Sequence, residues 1–359
     1  IYDVIIIGAG LSGLQCGHSL INQYGVNKEK ILVLEAQDYV GGRVKQIKDF
    51  IKGAKIEMGA EFLHGNNTEL TKFARAHDEP LREIYCWAHG DGGPLQEPAD
   101  NGYGLYYIGA HQPLDPNSTP TLTAAGDLTH LPYTPTTTDT TLNSRNRLLR
   151  YDDKDSDFAA LNKALWDLCD LHEDDFDESL SLYDYLIEKK LDPNMLKMGA
   201  AGFANTLCSN SYELSLKQAV KWSRLWHAEE DEEDGDYTFK NSYSCLVDHL
   251  QKDLQIELET PIANVTYSPV PEPVQSAETT TSGVVYRARK LVVTASPHVI
   301  NSKLLTFSPA LPSDVQDAFT YTNMNPITKV IMKFSRPAWP KDLHGMIMVD
   351  DSFLLPEVW

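Results

Sequence analysis

The sequence has few of the features that would place it at once in a special class of protein. It contains no stretch of about 18 consecutive apolar residues, so no transmembrane helix is expected. It also lacks the basic start and apolar stretch of a signal peptide. The compartment stays open between cytoplasmic, peroxisomal and secreted, because a leader that is removed leaves no trace in the remaining sequence.

Cysteine is sparse and is not arranged in pairs. The five cysteines are scattered and odd in number, and no two of them form a Cys-x-x-Cys pair. This pattern argues against a zinc site and against a dense disulfide framework. No metal site is therefore predicted.

Positive charge is scarce. The chain has 31 Lys and Arg residues against 51 Asp and Glu residues, which gives a formal net charge of −20. Nucleic acids and anionic membranes bind through a cationic surface, so neither is expected as a partner. A cationic ligand would be attracted, although solubility alone also explains an acidic surface. The acidic run Glu229 to Asp236 is interpreted as a solvated loop, with a collar that attracts cations towards a cleft as the alternative.

The chain is long and apolar enough to form a large core. Its 359 residues, of which 42% are apolar, exclude disordered and collagen-like classes and favour two domains. The pattern from Tyr2 to Glu35 predicts a strand, a glycine turn, a helix and a second strand, which is one βαβ unit. The segment Thr119 to Thr141 contains ten threonines and too few apolar residues for a core, so it predicts an insertion.

Helices are predicted in the middle of the chain, and strands resume near residue 237. Apolar periodicity indicates helices at Glu69 to His77, Phe158 to Leu171, Leu180 to Lys190 and Leu214 to His227, while His89 to Thr141 is interpreted as loop. Alternating patterns predict strands in the last third of the chain. Examples are Tyr237 to Val247, Val284 to Ala288, Lys290 to Ala295, Ser308 to Ala318 and Ile327 to Phe334.

A glycine-rich turn follows the first strand directly and opens the first helix. It fits the G-x-G-x-x-G pattern of dinucleotide-binding folds. The first glycine permits the tight turn, the second lets the backbone approach a pyrophosphate, and the third lets the helix pack on the strand. The helix N-terminus favours the negative charge of the ligand. The residues concerned are Gly8, Gly10, Leu11, Ser12 and Gly13.

A carboxylate ends the second strand. Glu35 comes 22 residues after Gly13, where it can accept hydrogen bonds from both ribose hydroxyls and disfavours a 2′-phosphate. A glycine turn without a ligand is the competing explanation, and the complete βαβ unit argues against it. The fingerprint alone does not separate NAD from FAD.

Further motifs resemble the flavin-containing amine oxidase family, which includes polyamine oxidases, monoamine oxidases and flavin histone demethylases. Polyamine oxidases are the closest in appearance. The resemblance covers most of the chain outside residues 89 to 235, and the motifs are specific as a set. They are Leu34–Ala36, Gly41–Val44, Met58–Gly65, Asn241–Leu250, Ile262–Val265, Lys290–Pro297, Phe307–Pro312 and Lys329–Trp339.

The resemblance implies FAD as the cofactor. Glu35 and Ala36 share one motif, and Gly42 lets the main chain approach the pyrophosphate while the guanidinium of Arg43 contacts it. A forked cation suits a diphosphate. An ordinary surface arginine is the competing interpretation of Arg43.

On the flavin side, the resemblance implies that Gly59 and Ala60 flank the ring, with Glu61 beside them in the cofactor-binding set. Val265 is implied to offer its backbone to the adenine. A plain core valine is the competing interpretation of that residue.

Three residues are implied to take part in the chemistry. Lys329 matches the lysine that binds a water near the flavin N5, and a lysine in an apolar strand needs a reason because burying an unpaired ammonium is costly. Glu61 and His64 match residues that face the active-site channel. A carboxylate there can hold a distal ammonium, and an imidazole can bond the amine or move its proton. A solvent-facing lysine and a structural histidine are the alternatives.

The resemblance implies FAD-dependent oxidation of a C–N bond in a polyamine or related cationic amine. A hydride passes to flavin N5, O2 is reduced to H2O2, and the imine hydrolyses to an aldehyde. An L-amino-acid oxidase of the same fold is the nearest alternative, with Arg75 or Arg82 as the candidate partner for a substrate carboxylate. A non-catalytic FAD-fold scaffold or regulatory protein is the alternative from another class.

The sequence departs from the family pattern in two places. Phe62 and Leu63 stand where many relatives have Trp and an aliphatic residue, so substrate shape near the ring is expected to differ. The family's last flavin-binding segment, a glycine-rich strand-to-helix turn, and its aromatic pair are not found in the sequence. A second chain or a further C-terminal segment is therefore expected to complete the flavin site.

The expected architecture is α/β. A Rossmann-like FAD-binding domain, with a mixed sheet and a βαβ unit, is interleaved with a second, α+β substrate-binding domain. FAD-binding parts are predicted at residues 1–84 and 237–300. Substrate-binding parts are predicted at 85–236, with the insertion at about 110–155, and at 301–359, which is expected to be incomplete.

Overall fold

The structure is a computed structural model in which the chain forms two compact units. The first unit combines residues 1–62, 72–82 and 238–331, and the second combines 63–71, 83–237 and 332–359. The described residues are 1–65, 67–84, 103–108, 147–150, 156–172, 174, 176–177, 179–204, 207, 209–227, 236–268, 276–280, 283–322, 324–325, 327–336, 343–349 and 357–358.

Two segments that were interpreted from the sequence lie largely outside the described residues. Most of the predicted insertion at about 110–155 and residues 229–235 of the acidic run lie outside the described residues. The division into FAD-binding and substrate-binding parts stays a prediction.

Strands and helices alternate along the chain. In chain order the strands are β1 (Tyr2–Ile7), β2 (Ile31–Leu34), β3 (Gln46–Ile51), β4 (Ala54–Glu57), β5 (Leu63–His64), β6 (Leu81–Ile84), β7 (Tyr103–Ile108), β8 (Arg147–Arg150), β9 (Asp236–Phe239), β10 (Ile256–Glu257), β11 (Ile262–Thr266), β12 (Ser276–Thr280), β13 (Val285–Val293), β14 (Thr306–Ser308), β15 (Leu343–Val349) and β16 (Glu357–Val358). The helices are α1 (Leu11–Asn22), α2 (Glu69–Ala76), α3 (Ser156–Trp166), α4 (Leu182–Glu188), α5 (Pro193–Met198), α6 (Leu216–His227), α7 (Ser244–Leu250), α8 (Pro297–Asn301) and α9 (Ser313–Thr320).

The first unit contains a seven-stranded mixed sheet. Its strand order is β10-β2-β1-β13-β12-β11-β14, and β1 runs parallel to both of its neighbours, β2 and β13. Ile5 and Ile6 are fully buried, as expected for a central parallel strand that is covered on both faces. β1, α1 and β2 confirm the predicted βαβ unit. The carboxyl ends of β1, β2 and β13 lie at one edge, where open α/β sheets bind their ligands.

The second unit has a helical core and a four-stranded sheet. Its buried apolar side chains come from α3 to α6 and the segments between them, with Leu161, Leu168 and Leu186 among the most buried. A capping box starts α4, because the Ser181 hydroxyl accepts from the Asp184 amide and the Asp184 carboxylate accepts from the Ser181 amide. The strand order of the sheet is β16-β15-β7-β8.

Five of the strand predictions are wrong in detail. Val284 to Ala288 and Lys290 to Ala295 form the single strand β13; the polar residue between them, Arg289, points outwards and pairs with Asp3 at 3.5 Å. The strand predicted from Tyr237 ends at Phe239, because the chain turns at Ser242 with φ +140° and α7 follows.

The other corrections concern the loop region and the last third of the chain. Strand β7 lies inside the predicted loop His89 to Thr141. The predicted strand Ser308 to Ala318 is mostly the helix α9, which begins after Pro312, a residue suited to a helix start. Residues 327–334 belong to none of the strands of the described part of the chain, because alternation alone does not supply a neighbouring strand to pair with.

Within the described residues, no helix is long and apolar enough to cross a membrane. The same residues contain no group of three or more His, Cys, Asp or Glu side chains that could hold a metal ion.

Three imidazoles meet in the first unit. The ring of His249, on α7, lies 4.9 Å from the ring of His18 on α1 and 4.3 Å from the ring of His77, just after α2. Phe73 packs on the same group, 5.2 Å from His249. Burial lowers the pKa of His249, and the neighbouring His77, His18 and Lys252 lower it further.

This cluster predicts a loss of stability in acid. Because the pKa of His249 is lower in the folded protein than its ordinary value of 6.5, the unfolded chain binds more protons below that pH. The stabilising contribution is complete above about pH 6.5 and is lost as the pH falls through the folded-state pKa. Urea denaturation at about pH 7.5 and about pH 5.5 measures the difference in free energy of unfolding.

We expect His249→Phe to reduce this pH dependence, while His298→Gln, at an exposed histidine on α8, leaves it unchanged. Equal pH dependence in the wild type and the His249→Phe variant would contradict the prediction.

Candidate functional site

The turn after β1 can be built only with glycine at two of its positions. Gly8 has φ +104°, and a Cβ at Gly13 would lie 2.0 Å from the Gly8 carbonyl oxygen. The Thr294 hydroxyl, which follows β13, lies 2.9 Å from the Ile7 carbonyl oxygen and 3.1 Å from that of Gly8. The turn is therefore fixed from both sides by close packing and by hydrogen bonds.

Gly10 is a different case, because the folded chain leaves space beside it. Its backbone is extended, with φ −73° and ψ 174°, a conformation that any residue adopts. The nearest atom to a Cβ at this position would be the Gly42 Cα, at 4.0 Å. Helix α1 starts here with no side-chain cap, so the amide groups of Leu11, Ser12 and Gly13 are available to an anion.

Glu35 lies beside this turn at the end of β2. Only 9% of it is exposed, and its carboxylate accepts from the Ala9 amide at 2.7 Å and from the Gln37 amide at 2.9 Å. Each carboxylate oxygen has a second lone pair, so the group can also accept from ligand hydroxyls. Ala36, next in sequence, is exposed.

A second glycine turn packs against the first. The Gly41 amide donates to the Ala9 carbonyl oxygen at 2.9 Å, and Gly41 and Gly42 have φ +119° and +61°. A Cβ at Gly42 would lie 3.1 Å from the Gly10 Cα. Arg43 follows and is exposed, and its guanidinium has no hydrogen bond or ion pair with any other described side chain.

These features fit a dinucleotide. The pyrophosphate of such a ligand suits the glycine cradle, the uncapped helix of 12 residues and the forked cation of Arg43. Its ribose suits the buried carboxylate of Glu35, which has spare lone pairs. The residues predicted for this part of the site lie together in the first unit.

Lys329 contacts a segment that packs against Arg43, the residue after the second glycine turn. Its ammonium donates to the Glu61 carboxylate at 2.6 Å and to the carbonyl oxygens of Glu57 and Gly59, both at 3.3 Å. Residues 57–62, called the 57–62 loop below, supply all three acceptors. The structure therefore brings Lys329 and Glu61 together.

The 57–62 loop is joined to the second glycine turn. The Ala60 amide donates to the Arg43 carbonyl oxygen at 3.1 Å, and the Met58 amide donates to the Lys45 carbonyl oxygen at 2.7 Å. A Cβ at Gly59 would lie 1.7 Å from the Arg43 carbonyl oxygen, so only glycine fits there. Lys329 is thus connected through Gly59 and Arg43 to the cradle at Gly10.

Sequence reasoning missed the residues that hold the 57–62 loop in place through hydrogen bonds. The Glu57 carboxylate accepts from the Ser242 hydroxyl at 2.6 Å and from the Tyr243 amide at 2.9 Å. The Tyr243 hydroxyl donates to the Phe62 carbonyl oxygen at 2.8 Å. Burial, followed by the nearby Glu57 charge, raises the pKa of Tyr243. The available signal was Asn241 to Leu250, which resembled the family without having a stated role.

His64 and Val265 occupy different surroundings. His64 is exposed on β5, where it pairs with Asp236 of β9 in the second unit. Val265 is 1% exposed and lies inside β11, paired with Glu278 on one side and Phe307 on the other. Its side chain packs in the core of the sheet, and its contact with an adenine stays a prediction.

The fold and the site define a dinucleotide-binding α/β protein. Within that class, the model of the flavin-containing amine oxidoreductase family matches residues 11–357. The chain therefore belongs to this family, which is a family of oxidoreductases with FAD as the cofactor.

Known amine oxidases and a histone demethylase also match this chain, at low sequence identity. Polyamine oxidase 4 of Oryza sativa subsp. japonica is 24% identical over 348 residues, which is 96% of this chain and 62% of the relative. Lysine-specific histone demethylase 2 of Homo sapiens is 25% identical over 357 residues, covering 96% of this chain and 36% of the relative. The structure of a putrescine oxidase bound to putrescine aligns with a TM-score of 0.59 and 17% identity, over 90% of this chain and 64% of that one.

These comparisons confirm the predicted family, the α/β fold and FAD. The chain spans about three fifths of the length of the polyamine oxidase that it matches, 62%.

Proposed function

We propose that the protein is an FAD-dependent amine oxidase that acts on a C–N bond of a polyamine or related cationic amine. The observation that carries this proposal is the position of Lys329, which donates to the Gly59 carbonyl oxygen at 3.3 Å. Gly59 lies against the Arg43 carbonyl oxygen, and Arg43 follows the glycine turn that packs on Gly10. A charged lysine is therefore held by the segment that borders the cofactor cradle.

The cofactor would be held by the residues of that cradle. The first turn of α1, with Leu11, Ser12 and Gly13, and the Arg43 guanidinium would bind the pyrophosphate, and Glu35 would accept from the ribose hydroxyls. Gly59 and Ala60 would border the flavin. FAD, when bound, supplies a hydride acceptor at its N5 and passes the electrons to O2, which gives H2O2.

Lys329 would hold a water or a proton near the reacting amine. Its ammonium has three N–H donors, and the 57–62 loop supplies three acceptors, so a bound water would share a donor with one of the two carbonyl contacts of 3.3 Å. The amine must lose its proton before oxidation, and an imidazole suits that transfer; His64 is the residue that the family resemblance implies for it. The imine product then hydrolyses to an aldehyde and a shorter amine.

Charge supports a cationic substrate. The net charge of −20 gives the protein a field that draws polycations and repels anions. Two of the relatives reported above act on amines according to their names. A free amino acid carries a carboxylate and is favoured less by the same field.

The test is a substrate panel with FAD-loaded protein. Spermine, spermidine, acetylated polyamines, monoamines and amino acids are each incubated with the enzyme, and peroxide is followed by a coupled assay. Peroxide from polyamines supports the proposal, whereas peroxide from amino acids alone would favour the L-amino-acid oxidase. Protein that binds FAD but oxidises no member of the panel would favour the non-catalytic scaffold.

A further inference from the structure

The side chains of Glu61 and Lys329 form an ion pair with each other. The Glu61 carboxylate lies 2.6 Å from the Lys329 ammonium. Among the described residues, Glu61 has no other cationic partner and Lys329 has no other carboxylate partner. Each charge is therefore compensated by the other.

The two carbonyl oxygens beside this pair belong to a segment that other hydrogen bonds hold in place. Glu57 and Gly59 each offer a carbonyl oxygen at 3.3 Å from Lys329. Ser242 and Tyr243 fix the Glu57 carboxylate on one end of the 57–62 loop, and the Tyr243 hydroxyl fixes Phe62 on the other. The carboxylate of Glu61 is the one acceptor of the three that belongs to a flexible side chain.

An unpaired lysine would oppose the binding of a cationic amine, because like charges at close range repel. A carboxylate at hydrogen-bond distance cancels that charge without removing the three donors. Glu61 can therefore assist the binding of a cationic amine without touching it.

We propose that Glu61 is a positioning residue that acts through Lys329: it holds the ammonium against the carbonyls of Glu57 and Gly59 and cancels its charge. The ion pair itself stands on the geometry, while its consequence for amine oxidation rests on the proposed function. The alternative is that Glu61 binds an ammonium group of the substrate directly and independently of Lys329.

A double-mutant cycle on the FAD-loaded protein separates the two roles. The variants are Glu61→Gln, Lys329→Met and the combination of both, and the measurement is the rate of loss of oxidised-flavin absorbance on anaerobic mixing with amine. We expect Glu61→Gln to lower the rate about tenfold and the combined variant to be as slow as Lys329→Met alone, because residues that act as a unit are not additive. Glu61→Asp, which keeps the charge, is expected to recover part of the rate. Losses that multiply in the combined variant would overturn the proposal.

A second measurement needs no activity. Limited acetylation with an amine-reactive reagent, read by mass spectrometry, reports how accessible each lysine is to the reagent. Glu61→Gln is expected to raise acetylation of Lys329 severalfold, with Lys28, which pairs with Asp253 at 2.7 Å, as an unchanged internal reference. Unchanged acetylation of Lys329 would overturn the proposal. If the acetylation result holds and no amine is oxidised, the proposed function fails and the ion pair remains.

Discussion

Lys329→Met is expected to lower amine-driven peroxide production by about 100-fold or more, a loss typical of removing a group that moves a proton in the reaction. The reason is that methionine keeps the length and apolar stem of lysine but none of the three donors that face the 57–62 loop. The change should appear in kcat more than in KM, because the lost interaction belongs to the reacting geometry. FAD binding should be retained, since the three acceptors that Lys329 contacts lie in the 57–62 loop and not in the glycine turns that would hold the pyrophosphate.

The matched control is Lys240→Met, at an exposed lysine of the same unit. Its activity should stay within a factor of about two of the wild type, because isolated surface changes have small effects. Peroxide production by Lys329→Met at the wild-type rate would refute the assignment of Lys329 to the active site.

Two glycine substitutions in the fingerprint are expected to have different effects, one on the stability of the fold and the other on FAD binding. Gly13→Ala places a Cβ 2.0 Å from the Gly8 carbonyl oxygen, so it should destabilise the folded protein by several kcal/mol, beyond the usual cost of about 1–3 kcal/mol for overpacking. Gly10→Ala meets no atom closer than 4.0 Å and has an ordinary extended backbone, so its stability should be nearly that of the wild type.

The difference lies in the ligand. If the backbone at Gly10 approaches the pyrophosphate closely, a methyl group there occupies the ligand's space, and FAD binding should weaken by about 100-fold, or about 2.7 kcal/mol. Thermal unfolding of the FAD-free protein and FAD titration by fluorescence measure the two effects separately. Gln15→Ala, on the exposed face of α1, is the control for both. Wild-type affinity for FAD in Gly10→Ala would show that the cofactor does not use this turn.

The sequence predicts the first part of the fold well because its signals are local. An apolar run, a glycine turn, an amphipathic helix and a second apolar run follow one another within Tyr2 to Glu35, and each glycine has its own steric reason. The resemblance to the flavin-containing amine oxidase family added Gly41 to Val44 and Met58 to Gly65. Each of these motifs can be identified from contiguous residues alone.

The parts that sequence reasoning missed depend on distant partners. Arg289 suggests a break between two strands until its pairing with Asp3 is seen. The support given to Glu57 by Ser242 and Tyr243 spans 185 and 186 residues, and no pattern in either segment indicates it. Lys329 and Glu61 were each proposed for the site, but their separation of 268 positions in the sequence gave no sign that they form a pair.

Because β13 pairs with β1, the cofactor cradle can be completed only late in the synthesis of the described part of the chain. The Thr294 hydroxyl that bonds the Ile7 carbonyl is 287 residues away in sequence, so the glycine turn lacks this support until Thr294 itself has been synthesised. Contacts of such long sequence separation slow folding because the intervening loop must be closed first. Until then one edge of the βαβ segment's sheet stays unpaired, and exposed strand edges favour aggregation and chaperone binding.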